Sequence, residues 1–233
     1  MKTIGLIGGM SWESTCEYYR LINELVSNRL GGQHSAKVIL YSVDFEPIEQ
    51  AQNEHRWDDA ARILVDAGRS LKEAGADFLL ICTNTMHKVA DDVEQSAGIP
   101  LLHILDVTGA AIQRAGLNEV GLLGTRFTME DGFYQHRLKN RFGLNVLTPA
   151  ESERRTVHQI IYDELCHGRI RPSSRRRCEE IILGLVRSGA EGIILGCTEL
   201  PLLIQRAPAA IALFDTLKLH AEAAVASALD ETA

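Results

Sequence analysis

The sequence predicts an α/β protein of two pseudo-symmetric lobes with mainly parallel sheets and an active site in the cleft between them. Three observations carry this expectation. Short apolar runs alternate with longer amphipathic stretches, the pattern of parallel strands joined by helices. Several strand-and-loop phrases occur twice, in the same order along the chain. The spacing inside each copy also agrees: Gly8 precedes Thr83 by 75 positions and Gly124 precedes Cys197 by 73.

Residues 3–7 read as a first strand, closed by Gly8-Gly9. Ser11 is placed to N-cap a helix with Glu13 in its first turn, ending near Leu30 at Gly31-Gly32. Residues 37–43 form a second strand, 57–74 a helix ending at Gly75, and 78–82 a strand apolar enough to be buried on both faces. The second copy starts at Glu119. Residues 120–125 echo 4–9, residues 188–199 echo 74–85, and residues 211–216 echo 102–107. The third echo places His103 inside an apolar strand. The expected division is 1–107 plus 216–233 as one lobe and 108–215 as the other, with the last helix, from about Thr216, returning to the first lobe.

The 233 residues are 45% hydrophobic and 24% charged, ordinary for a soluble globular chain. A net charge of -7 opposes a nucleic-acid partner, and no apolar run approaches a membrane span. The apolar stretch at residues 4–7 is too short and too soon interrupted by glycine to read as a signal peptide. Cys16, Cys82, Cys166, Cys178 and Cys197 are odd in number and lack a close pair, which opposes a disulfide framework or zinc site and suggests a reducing cytoplasm.

Ligands of open α/β sheets sit at the carboxyl ends of strands. The loops there carry Ser11, Thr83, Asn84 and Thr85 in one copy, and Thr125, Cys197, Thr198 and Glu199 in the other. Two such loops could set one proton-handling group on each face of a substrate carbon, as inversion of a stereocentre requires. Hydroxyls, the Asn84 amide and backbone N–H groups could hold a carboxylate and an enolate-like intermediate. Cys197 is the candidate base, with a thiol expected to be lowered by a helix N-terminus. A buried structural cysteine is the competing reading.

Gly8-Gly9-Met10-Ser11, Cys82-Thr83-Asn84-Thr85 and Gly196-Cys197-Thr198-Glu199 together resemble the aspartate racemase branch of the aspartate/glutamate racemase superfamily, over essentially the whole chain. The resemblance implies an isomerase acting at the Cα of acidic amino acids, with no pyridoxal phosphate, no metal and a homodimeric assembly. It also implies two cysteines flanking the Cα, with Glu199 in place of the histidine usual in glutamate racemases. The first loop departs from that pattern. Aligning Asn84-Thr85 on the family's Cys-Asn-Thr puts Thr83 at the catalytic position, and Cys82, one residue earlier, should point to the opposite face. A hydroxyl is harder to deprotonate than a thiol, so the two faces are expected to be unequal. The resemblance implies that the second-loop cysteine faces the α-proton of the L-enantiomer, and hence an enzyme acting mainly on L-amino acids, with Cys197 as base and Thr83 as weak partner. The resemblance also marks Met10, Ser11 and Gln52 as substrate contacts, and places Glu164 where relatives often carry lysine.

Other features receive blander readings. Gly5-x-x-Gly8-Gly9 fits neither nucleotide-binding glycine pattern. His87 is expected at a helix start facing solvent, and the arginines at 169, 171 and 175–177 on a solvated helix face. Rival functions are another superfamily reaction on a small carboxylic acid, or amino-acid binding without catalysis.

Overall fold

The computed structural model describes residues 1–230. They form two compact units, one of residues 1–103 joined by the chain from His220 onward, the other of Ile104–Leu219.

The first unit holds a parallel sheet ordered β2-β1-β3, with β1 Ile4–Gly8, β2 Val38–Ser42 and β3 Phe78–Ile81. Helix α1 (Trp12–Leu30) follows β1, α2 (Phe45–Asn53) and α3 (Trp57–Glu73) follow β2, and α4 (Ala90–Ala97) follows β3 after a 3-10 turn at Thr85–Val89. The apolar spacing of α3 turns Leu64, Ala67 and Leu71 into a core with Ile7, Leu79, Ile81 and Val93. Ser11 takes the extended N-cap conformation of α1, but its side chain makes no capping bond. Helix α2 was not expected from the sequence. Asp44 caps it by accepting from the Glu46 N–H at 3.4 Å, and it buries Ile48, Ala51 and Gln52.

The second unit holds a parallel sheet ordered β5-β4-β6-β7. It opens with α5 (Ile104–Arg114), followed by β4 Glu119–Gly124, α6 (Arg126–Glu130) and α7 (Phe133–Phe142). Strand β5 Asn145–Leu147 leads to α8 (Glu151–Gln159), which continues as a π-helical turn at Ile160–Glu164 and a 3-10 turn at Leu165–His167 before α9 (Pro172–Arg187). The chain then runs through β6 Gly192–Gly196, α10 (Leu200–Leu203) and β7 Ala212–Asp215 into α11 (Thr216–Ala228). Its core gathers Leu122, Leu123, Leu138, Ile181 and Ile193.

The duplication extends to individual bonds. Asp77 accepts from the Thr3 N–H at 2.6 Å just before β1, and Glu191 accepts from the Glu119 N–H at 3.0 Å at the start of β4. At the other end of these strands, Ser14 donates to the Ser11 carbonyl at 3.2 Å, and Thr128 to the Thr125 carbonyl at 2.8 Å. The third echo is corrected. Residues 212–215 do build a strand, but their counterpart shrinks to one bridge between Leu79 and Leu101. From Ile104 the chain is helical, burying Ile104, Leu105, Thr108 and Ile112 on one face, while Arg137 grips Asp106 at 2.7 and 2.8 Å. His103 therefore precedes a helix rather than lying in a strand. No described helix is long and apolar enough to cross a membrane.

Candidate active site

In the first unit the loop after β1 winds around one side chain. The Thr15 hydroxyl accepts from the Gly9 N–H at 2.9 Å and donates to the Ser11 carbonyl at 2.8 Å. Gly9 takes a φ of 96° and lies so close to Val43 that a Cβ would meet its carbonyl oxygen at 2.2 Å. Only glycine fits there. Met10 and Ser11 are thereby held, buried, beyond the carboxyl end of β1. Ile7 pairs with Ile81, so the residues that follow β3 emerge beside this loop. Thr83 is half-buried there, with Asn84 and Thr85 buried behind it. Cys82 is fully buried, and burial pushes its thiol well up. Gln52, only 1% exposed, donates from its amide to the Met86 sulfur at 3.0 Å.

The second unit repeats the arrangement. Gly124 pairs with Gly196, so Thr125 and Cys197 leave neighbouring strand ends side by side. Thr125 caps α6 by accepting from the Thr128 N–H. The Cys197 thiol donates to Glu199 Oε2 at 2.9 Å, and the Thr198 hydroxyl donates to the same oxygen at 3.0 Å. All three side chains are buried. The expected lowering of Cys197 is reversed: burial and then the adjacent Glu199 carboxylate raise its pKa well above the ordinary thiol value. The helix beyond it, Leu200–Leu203, is only four residues long and offers little dipole to oppose them.

Beside the Thr125 loop lies a cavity of about 460 Å³, into which Arg126, Arg154, Arg155 and His158 project with Glu130 and Glu151. Glu164 points elsewhere. Its carboxylate accepts from the Ser174 hydroxyl at 2.6 Å and lies 3.5 Å from Arg171. Arg171, Arg176 and Arg177 are solvent-exposed. His87, expected at the surface, is buried at 3% exposure, with its ring against the Thr83 carbonyl. The supporting roles of Thr15, Thr128 and His87 were missed from the sequence. A hydroxyl three or four residues after Ser11 and after Thr125 was the available signal for the first two. Among the described residues no three His, Cys, Asp or Glu side chains converge as a metal-ligand set.

Comparison with known proteins identifies the family. The family model of Asp/Glu/hydantoin racemases matches residues 7–224. The crystal structure of a candidate Asp/Glu racemase from Yersinia pestis superposes with a TM-score of 0.91 at 53% identity, covering 98% of this chain and 100% of that one. An aspartate racemase homologue from Pyrococcus horikoshii OT3 superposes with a TM-score of 0.84 at 34% identity, over 98% and 100% of the two chains. The broad specificity amino-acid racemase RacX of Bacillus subtilis (strain 168) is 23% identical over 232 residues, 97% of this chain and 98% of RacX. Two parallel sheets with equivalent loops, and a family match that spans both, lead to one assignment: the chain belongs to the Asp/Glu/hydantoin racemase family.

Proposed function

We propose that this protein racemises acidic amino acids, L-aspartate and L-glutamate before others, without an organic cofactor, by removing the α-proton from one face and returning one to the other. The observation that carries the reading is the Cys197–Glu199 pair, a buried thiol already hydrogen-bonded to a carboxylate at the end of β6. Glu199 accepts the thiol proton and Cys197 Sγ, as thiolate, takes the α-proton of the L-enantiomer. Burial makes that thiolate scarce but strongly basic, which suits a carbon acid as weak as an amino-acid Cα. The ammonium group of the incoming substrate is a cation that favours the charged sulfur. Thr83 donates or relays a proton on the opposite face, and its hydroxyl makes that direction the poorer one. Ser11, Asn84, Thr85, Thr125 and Thr198 supply donors for the carboxylate and the enolate-like intermediate, with Met10 and Gln52 shaping the first half-site.

Gln52 and Glu164 carry no positive charge, and Glu164 is engaged by Ser174 and Arg171. The cavity beside Thr125, with three arginines against two glutamates, is the feature that favours acidic over neutral side chains. The working form proposed is a cytoplasmic homodimer, in keeping with five free cysteines.

The test is incubation with L- and D-aspartate and L- and D-glutamate in D₂O without added cofactor, following deuterium at Cα by proton NMR. The expected result is exchange faster from the L-side and abolished by Cys197→Ser. Equal rates from both enantiomers would overturn the Thr83 assignment. No exchange from any of the four would overturn the acidic-substrate reading, and no exchange from neutral amino acids either would leave a binding protein.

A further inference from the structure

Behind the Thr83 loop, three imidazoles and a phenol form a buried cluster to which the racemase reading gives no task. The His87 ring centre lies 4.7 Å from that of His103 and 5.7 Å from that of His220. Tyr18 stands edge-on to His220 at 5.7 Å. His87 and His103 are buried, and Tyr18 and His220 are wholly so.

The partners fix where the ring protons sit. A carbonyl only accepts, so His220 Nε2, 2.8 Å from the Leu102 oxygen, carries a hydrogen. Burial lowers the pKa of His220 to about 4, so at neutral pH its Nδ1 bears a lone pair and accepts from the Tyr18 hydroxyl at 2.8 Å. By the same logic His87 Nδ1, 2.7 Å from the Thr83 carbonyl oxygen, carries a hydrogen and donates it. The backbone N–H of His87 donates to the next carbonyl, that of Asn84, at 3.1 Å. One residue therefore holds two successive carbonyls of the loop.

That has a directional consequence. The Thr83–Asn84 peptide is trans, and in a planar trans peptide the C=O and N–H point in opposite directions. Drawing the Thr83 carbonyl towards the buried ring turns the Asn84 N–H away from it. It also fixes the peptide plane from which Thr83 projects its hydroxyl.

We infer that His87 is a positioning residue of the first half-site, whose Nδ1–H orients the Thr83–Asn84 peptide so that the Thr83 hydroxyl and the Asn84 N–H serve the reacting amino acid. His103 and His220, packed on the ring, keep it from rotating. This inference rests on the racemase reading and adds to it a residue that touches no substrate.

The experiment compares His87→Leu, which removes the donor, with His87→Asn, whose amide nitrogen lies near the position of Nδ1. Rates of α-proton exchange from L-aspartate in D₂O are taken per folded molecule, with melting curves alongside. A displaced catalytic group costs up to about 100-fold in rate. His87→Leu is therefore expected to lose kcat by about 10- to 100-fold with a raised KM, and His87→Asn to recover most of it. A merely structural histidine would lower the melting temperature and the folded fraction while leaving kcat and KM per folded molecule unchanged. Unchanged constants in His87→Leu overturn the inference, as does a His87→Asn variant as poor as His87→Leu. Should His87→Leu fail to fold, His87→Phe, which keeps a ring and removes the donor, takes its place in the comparison: a loss of kcat that His87→Asn recovers supports the role, and unchanged constants overturn it. A ring-nitrogen NMR spectrum of the wild type showing the Nε2–H rather than the Nδ1–H form of His87 overturns it independently of activity. An inert wild type overturns the racemase reading itself, whereas an active wild type with an unaffected His87→Leu overturns only the role of His87.

Discussion

Cys197 and Glu199 pose an electrostatic problem that the residue scale resolves. A carboxylate beside a buried thiol disfavours the thiolate, yet it is also the nearest acceptor for the thiol proton. Under the proposed mechanism the proton stays on sulfur in the resting site, and the base forms only when a substrate cation offsets the neighbouring negative charge. Two results should follow. The Cys197 thiol should resist alkylation at neutral pH and gain reactivity only above the ordinary thiol pKa of about 8.5. In Glu199→Gln the like charge is gone, and the alkylation midpoint should move down by about one pH unit or more, the usual effect of a close charge. Peptide-level mass spectrometry after iodoacetamide treatment separates Cys197 from exposed Cys16. A midpoint that stays put or rises in the variant would show that Glu199 does not govern the thiol. The same substitution should slow exchange, because the thiol loses its proton acceptor.

At the scale of the element, the first unit ties its last helical stretch to its loops through buried imidazole. His220 on α11 is held near pKa 4, from an ordinary 6.5, chiefly by burial, and the rings of Tyr18 and His87 pack on it, with His103 beyond His87. Its folded-state pKa is depressed, so between pH 6.5 and 4 the unfolded chain binds the extra proton and stability falls as pH falls. The full shift corresponds to about 3 kcal/mol. Urea unfolding at pH 7 and pH 4.5 should therefore show a loss in the wild type that is smaller in His220→Gln. Equal losses would exclude His220 as the source. This dependence was not legible in the sequence, because burial of His87 and His220 is set by which elements pack together. What was legible has local causes. Helix α3 shows its apolar stripe, β3 its unbroken apolar run, and α1 its glycine stop at Gly31. Residues 102–106 were misread because a short apolar run fits strand and buried helix alike. Here burial of Ile104, Leu105 and Ile112 along one side settled on helix. Helix α2 escaped notice because Pro47 and Gln52 obscure its apolar spacing, although Asp44 was a cap in plain view.

Over the whole molecule, the site loops were legible because duplication writes them twice, and the same reasoning separates their surfaces. The repeated pair Thr83/Cys197 lies just past strand ends, whereas the exposed apolar residues of the first unit lie away from them. Trp12 and Tyr19 lie seven positions apart on α1, one face of a helix, and are 65% and 55% exposed, with Cys16 exposed between them. Strand β2, at the edge of its sheet, exposes Leu40 and Tyr41. An apolar helix face and an apolar sheet edge on one unit are costly to leave in water and prone to pairing. The homodimer proposed above gives them an occupant, a second copy of the same chain joined through an isologous contact. Placing a charge at the centre of the helix stripe should break such a contact, since an unpaired buried charge is strongly disfavoured. Trp12→Glu combined with Tyr19→Glu should therefore sediment as a monomer under conditions where the wild type sediments as a dimer. Both residues are exposed in the single chain, so the melting temperature extrapolated to low concentration should barely change. A wild type that is monomeric at every concentration would remove the dimer. A double variant that stays dimeric would move the interface away from α1.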